Sequence, residues 1–198
     1  MKIYYINLAH RTDRKNQIED MLQTHGLLDD TIRIEALYIP LCGALGCSLS
    51  HIKALKTFIA DTTQDTCVIL EDDFEFNKDK SLNDAITLIK NTGLDWDVLL
   101  LASNTLRSLP ISGQPIDFCK CIASLTTAAY MVNRHYAQTL LNNFMQGARM
   151  LQASQKTPAI DVYWQQLQMS HDWYIYIIGH QRVGYSDIEN RICDYNGV

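Results

Sequence analysis

With 198 residues, 47% of them hydrophobic and 20% charged, the chain is long enough to bury a core without disulfide or metal staples. It reads as one domain spanning residues 1–198. A net charge of −5 with no basic block argues against wholesale electrostatic binding to nucleic acid or to an anionic membrane, though not against a local basic pocket for one phosphorylated ligand.

Met1-Lys2-Ile3-Tyr4-Tyr5-Ile6 turns polar too soon for a signal peptide. No apolar run approaches the roughly 20 residues of a membrane span. The cysteines at 42, 47, 67, 119, 121 and 193 include no CxxC pair, and they read as reduced. The expected setting is cytoplasmic, without a transmembrane segment.

Lys2 to Leu8 reads as a first strand. Thr12 caps a helix with Ile18, Met21 and Leu22 on one face, ended by Gly26. A second strand spans Thr31 to Leu37, at the distance of a βαβ unit. Leu41 to Cys47, with two glycines, reads as a close-approach loop leading into a helix with Leu49, Ile52, Leu55, Phe58 and Ile59 inward. Cys67 to Leu70 is a short apolar run, expected to be a fully buried strand. Ser81 caps the next helix and Gly93 ends it, and Asp97 to Leu101 is another buried strand. Asn104 to Lys120 reads as a long loop or hairpin. Thr126 to Val132 is a strand, and Asn133 caps a helix carrying Ala137, Leu140, Leu141 and Phe144. Thr157-Pro158 opens a further helix with Asp161 in its first turn. Tyr174 to Ile178 is a late strand, followed by a polar, irregular tail from Gly179. Strands alternate with helices throughout, which predicts a single α/β domain with a mostly parallel sheet.

The strand at Cys67–Leu70 runs directly into Glu71-Asp72-Asp73, with Glu75 two residues on. An arbitrary acidic triplet is a solvated turn. A buried strand that delivers acids at its carboxyl end places them where α/β proteins bind ligands. Right-handed crossovers bring the ends of the first and third strands to the same edge. That edge gathers Asn7, Arg11, Arg14, the loop Gly46 to His51, and Glu71 to Asp73. Arg11 and Arg14 stand at a helix start, where cations oppose the dipole. This suggests that they face an anion, and arginine is suited to a diphosphate. Ser48, Ser50 and His51 are helix-capping residues or part of an anion-binding helix start. Acids on one side and phosphate donors on the other suggest a bridging divalent cation, Mg²⁺ or Mn²⁺, and no His/Cys cluster asks for zinc. Asp161 either complements its helix dipole or acts as a general base. His180 is a candidate third metal ligand.

In this order the chain resembles glycosyltransferase family 25, which holds bacterial lipooligosaccharide galactosyltransferases and resembles the collagen galactosyltransferase domain. The matching stretches are Ile6-Asn7-Leu8 with Arg11 and Asp13-Arg14, Gly46-Cys47-Ser48-Leu49-Ser50-His51, and Ile69-Leu70-Glu71-Asp72-Asp73. Thr127 to Val132 is a weaker match, and Gln181 to Glu189 is similar to the collagen-type members. The chain departs from the family at Ala9-His10, where Asp-Arg is more usual, and residues 77–122 carry no matching motif.

The resemblance implies a GT-A-like fold, a Rossmann-type mostly parallel sheet flanked by helices. It also implies a UDP-sugar donor, a saccharide or glycoconjugate acceptor as in lipopolysaccharide assembly, a divalent metal (Mn²⁺ or Mg²⁺), and inversion at the anomeric carbon. It places Asn7, Leu8, Arg11, Arg14, Ser50, His51, Glu71, Asp72, Ser186 and Asp187 with the nucleotide sugar. Asp73 becomes the direct metal ligand, joined by His180, and Asp161 the acceptor-activating base. Tyr163 and Trp164 would form a platform for the acceptor sugar. Peripheral contact with the inner face of a membrane suits such an enzyme. The rival readings are a metal-dependent phosphoesterase and a non-catalytic nucleotide-sugar-binding module.

Overall fold

Alternation along the first strand sets the architecture. In a computed structural model describing residues 1–154, 158–189 and 191–194, β1 (Lys2–Asn7) sends Tyr4 and Ile6 to one face of a sheet and Ile3 and Tyr5 to the other. Successive side chains of a strand point to opposite faces, and here both faces are buried. α1 (Thr12–Thr24) and α3 (Leu82–Thr92) cover the Ile3–Tyr5 face. α2 (Gly43–Ala60) and α4 (Arg134–Ala153) cover the other.

The intervening strands are β2 (Thr31–Glu35), β3 (Thr66–Glu71), β4 (Phe74–Phe76), β5 (Val98–Leu100), β6 (Asn104–Pro110), β7 (Phe118–Leu125) and β8 (Ala129–Asn133). After α4 come two short helices, α5 (Ile160–Tyr163) and α6 (Gln165–Gln168), then β9 (Trp173–Tyr176), β10 (Gly179–Gln181), β11 (Gly184–Ser186) and β12 (Arg191–Cys193).

The main sheet has eight strands in the order β2-β1-β3-β8-β5-β9-β7-β6. β7 and β8 run against the other six. The sheet is therefore mixed in its pairings and mostly parallel in direction. Ile6 lies in register with Glu71, so the carboxyl ends of β1 and β3 do share one edge. No helix among the described residues is long and apolar enough to cross a membrane, and all six cysteines are free.

Several expectations need correction. α2 begins at Gly43, not after Cys47. Its glycines serve close approach inside the helix, because a Cβ at Gly46 would sit 2.5 Å from the Leu37 carbonyl oxygen. β2 ends at Glu35, and β8 starts at Ala129, because Thr126 turns the chain with φ 68°. Of the loop or hairpin expected from Asn104, the hairpin is what forms, as β6–β7 over residues 104–125, and its register shifts between Thr105 and Ser108 hide its alternation. Arg11, not Thr12, occupies the N-cap of α1. The helix expected after Pro158 is two short pieces, and Thr157 lies outside the described residues. The tail from Gly179 is not irregular, since β10 pairs with β4 and β11 pairs with β12.

Candidate active site

The shared edge of β1 and β3 opens into a cleft of two lobes. The smaller, about 120 Å³, is lined by Asn7, Leu8, Arg14, His51, Glu71, Asp72, Asp73, Ser186 and Asp187. The larger, about 260 Å³, is lined by Asn104, Thr126, Thr127 and Asp161. Cys47, Glu71, Gln181 and Ile188 belong to both lobes and form their common wall.

The smaller lobe has its charges paired within it. Arg14 Nη1 donates to Asp72 Oδ1 and to Asp73 Oδ2, each at 2.9 Å. Asn7 Nδ2 donates to Asp72 Oδ2 at 2.8 Å, and its Oδ1 accepts from Arg33 Nε at 3.1 Å. Burial pushes the Asp72 carboxyl up, partly offset by Arg14 and Asn7. Asp73 is pushed up to about 7 by burial and by the Glu71 charge, against the pull of Arg14. Glu71 goes the other way. Burial raises it, but the His51 contact at 3.3 Å and the Thr127 hydroxyl outweigh burial and hold it low.

The tail closes this lobe. Arg11 pairs with Asp187, Arg14 Nη2 donates to the Tyr185 carbonyl at 2.7 Å, and Ser186 Oγ accepts from the backbone of Ile188 and Glu189. Asp73 Oδ1 is buried with no hydrogen-bond partner. A buried oxygen left over in this way fits a hard divalent cation, with Asp72 the neighbouring donor.

In the larger lobe, Asp161 stands in the first turn of α5. Its carboxylate accepts from the Thr126 N–H at 3.2 Å. Burial nevertheless raises its pKa, and the Glu71 charge adds to the shift. Thr126 Oγ1 donates to Gln181 Oε1 at 3.2 Å, and Gln181 Nε2 donates to Asp73 Oδ2 at 3.1 Å. One hydrogen-bonded chain thus joins Asp161 to Asp73 through Thr126 and Gln181. Neither linker is among the site residues expected from the sequence. Their signal is positional: Gln181 reaches Asp73 only because β10 pairs with β4.

Not every expected residue joins the cleft. Ser50 Oγ donates to the Gly46 carbonyl and accepts from the Leu37 N–H, pinning the β2–α2 connection. His180 Nδ1 lies 2.8 Å from Asn77 Oδ1, and the residue lines neither lobe. Trp164 is no sugar platform. It is fully buried against Tyr130, Phe144 and Trp173, with Nε1 donating to the Ser124 carbonyl. Tyr163 packs over Gly147. Conversely, a mixed donor cluster absent from the sequence reading does form, with Cys47, His51 and Glu71 offering ligand atoms within 4.8 Å of one another.

The architecture is that of an α/β protein with the GT-A fold of glycosyltransferases. No family model and no curated protein matches the chain in sequence. Among solved structures, a glycosyltransferase involved in the glycosylation of the major capsid of PBCV-1 is similar over 96% of this chain and 95% of its own, at 9% identity and a TM-score of 0.54. A197 from STIV is similar over 100% of this chain and 96% of its own, at 12% identity and a TM-score of 0.53.

Proposed function

We propose that the chain is an inverting hexosyltransferase of glycosyltransferase family 25. In this reading it moves a hexose from a UDP-sugar to a hydroxyl of a saccharide or glycoconjugate, with Mn²⁺ or Mg²⁺ as cofactor. The observation that carries the reading is the two-lobed cleft. Arginine and the acidic triplet line one lobe, the half-buried Asp161 carboxylate lines the other, and Glu71 and Gln181 stand between them. A donor whose diphosphate lies in the smaller lobe would present its anomeric carbon toward Asp161.

Asp161 serves as the general base. Burial raises its proton affinity, and the Thr126 N–H holds the carboxylate in place as it takes the proton of the attacking hydroxyl. Positioned proton transfer of this kind is typically worth about 10²–10⁴-fold in rate. Arg14 and Arg11 supply fixed positive charge near the departing diphosphate, an electrostatic contribution that is usually larger. A divalent cation held by Asp73 and Asp72 would add Lewis-acid charge at the same leaving group. Gln181 fixes the Asp73 carboxylate, and Asn7 fixes that of Asp72. The reading places the enzyme in the cytoplasm, in glycan assembly of the lipopolysaccharide type, with peripheral contact at the inner face of a membrane.

The test is incubation with a panel of UDP-sugars in Mn²⁺ or in EDTA, following free UDP. Slow, metal-dependent release from one UDP-hexose is expected. A folded protein that releases none and shows no heat on titration with UDP would overturn the reading.

A further inference from the structure

Cys47 and His51 stand one helical turn apart on α2, so their side chains share a face. The end of β3 brings Glu71 to that face, and the three ligand atoms lie within 4.8 Å of one another. We propose that Cys47, His51 and Glu71 form a binding site for one thiophilic divalent cation of the zinc class, separate from the carboxylate position at Asp73.

One of the three spacings is close to that of a tetrahedral ion. His51 Nε2 and Glu71 Oε1 are 3.3 Å apart, whereas two donors at zinc bond lengths of about 2.0–2.1 Å are about 3.4 Å apart in a tetrahedron. The imidazole is already oriented for the task. His51 is fully buried, and its Nδ1 lies 2.8 Å from the Tyr130 hydroxyl, which leaves Nε2 facing the cluster. Histidine ligands are characteristically fixed through the second ring nitrogen in this way. Glu71 is likewise held by the Thr127 hydroxyl.

A thiolate and an imidazole select zinc over magnesium or manganese, which prefer all-oxygen sites. Cys47 and Glu71 line both lobes of the cleft, so a three-ligand site here keeps its fourth position open to an oxygen of water or substrate. The two positions are distinct because the converging ligand atoms are those of Cys47, His51 and Glu71, with Asp73 not among them.

The proposal does not depend on the transferase reading, and its test needs no turnover. Metal-free protein is titrated with Co²⁺. One equivalent is expected to give thiolate-to-cobalt charge-transfer absorption in the near ultraviolet, and Zn²⁺ to abolish it. Cys47→Ser should lose the band, while Cys42→Ser, altered at the N-cap of the same helix, and Asp73→Asn should keep it. A wild-type protein without the band, a Cys47→Ser variant that retains it, or loss of the band in Asp73→Asn would each overturn the proposal.

A measurement on the unaltered chain guards against a variant that fails to fold. Zn²⁺ should slow alkylation of Cys47 by iodoacetamide about tenfold or more, as read by peptide mass spectrometry, because a metal-bound thiolate is a poor nucleophile. Equal rates with and without Zn²⁺ would overturn the site.

Discussion

A single nitrogen of Arg14 bridges Asp72 and Asp73, 2.9 Å from an oxygen of each. Three consecutive carboxylates at a strand end would repel one another, and this contact is how the chain tolerates two of them with little water around. The same guanidinium reaches the Tyr185 carbonyl. Arg14 therefore links α1, the acidic turn and the tail hairpin, and it holds the smaller lobe in shape before any ligand arrives.

Replacing Arg14 by Leu should destabilise the protein by about 3 kcal/mol, because removing one partner of a buried ion pair strands the other charges. The urea midpoint reads this directly. Arg14→Lys keeps a charge but cannot reach both carboxylates and the Tyr185 carbonyl from one planar group, so it should fall between the two. A midpoint unchanged in Arg14→Leu would show that the carboxylates find compensation elsewhere.

Asp73→Asn should separate folding from function. The buried carboxyl, pushed up to about 7 by burial and by Glu71, gains little for the folded state by ionising. Its neutral isostere should melt no lower than the wild type. Metal-dependent UDP release should fall about a hundredfold or more, as expected when charge stabilisation at a leaving group is removed. Full activity in this variant would make the acidic turn incidental.

Asp161 carries a pH signature. Its folded-state pKa is raised by burial and by Glu71, so the folded protein binds the proton more tightly than the unfolded chain. Stability contributed by the protonated form is fully present below the ordinary carboxylate value of 3.8, and it is lost as pH rises through the higher folded value. Asp161→Asn removes this loss. Thermal melts should show the variant gaining on the wild type as pH climbs through that window and holding a constant margin above it. Parallel curves would mean that the carboxyl is not perturbed.

These contacts were legible in the sequence to unequal degrees, for physical reasons. Cys67–Leu70 could be read as buried and Glu71–Asp73 as the end of a strand because burial on both faces leaves an uninterrupted apolar run. Ser81 and Gly93 carried the ends of α3 through local rules. The structure shows a capping box between Ser81 and Asp84, and Gly93 sits at φ 65°. The start of α2 is hidden because Gly43 and Gly46 weaken any local helix signal, and what favours them is close approach to other segments, Gly43 to Ile188 in the tail and Gly46 to Leu37 and Ile39 in the β2–α2 connection. With Cys47 expected in a loop, its turn-apart relation to His51, and with it the mixed donor cluster, has no local signal. Gln181 and Thr126 were out of reach for a similar reason, since their roles come from strand pairing and from an unusual backbone angle.

Thr126 is where strain and site meet. A β-branched residue at φ 68° pays roughly 1–2 kcal/mol for its left-handed backbone. In that conformation its N–H faces Asp161 and its hydroxyl faces Gln181. Thr126→Gly relieves the strain but gives up about 0.5–1 kcal/mol through the freer unfolded chain, so the melting temperature should move little or rise. The backbone donor to Asp161 persists, while the link to Gln181, and through it to Asp73, is lost. Activity should drop about two- to tenfold, in line with the roughly 0.5–1.5 kcal/mol of one hydrogen bond. Gln181→Leu breaks the same chain one step later, so the double variant should be little worse than either single one. Additive losses would show that the two residues act separately, and a large fall in melting temperature for Thr126→Gly would show that the side chain is there for the fold and not for the site.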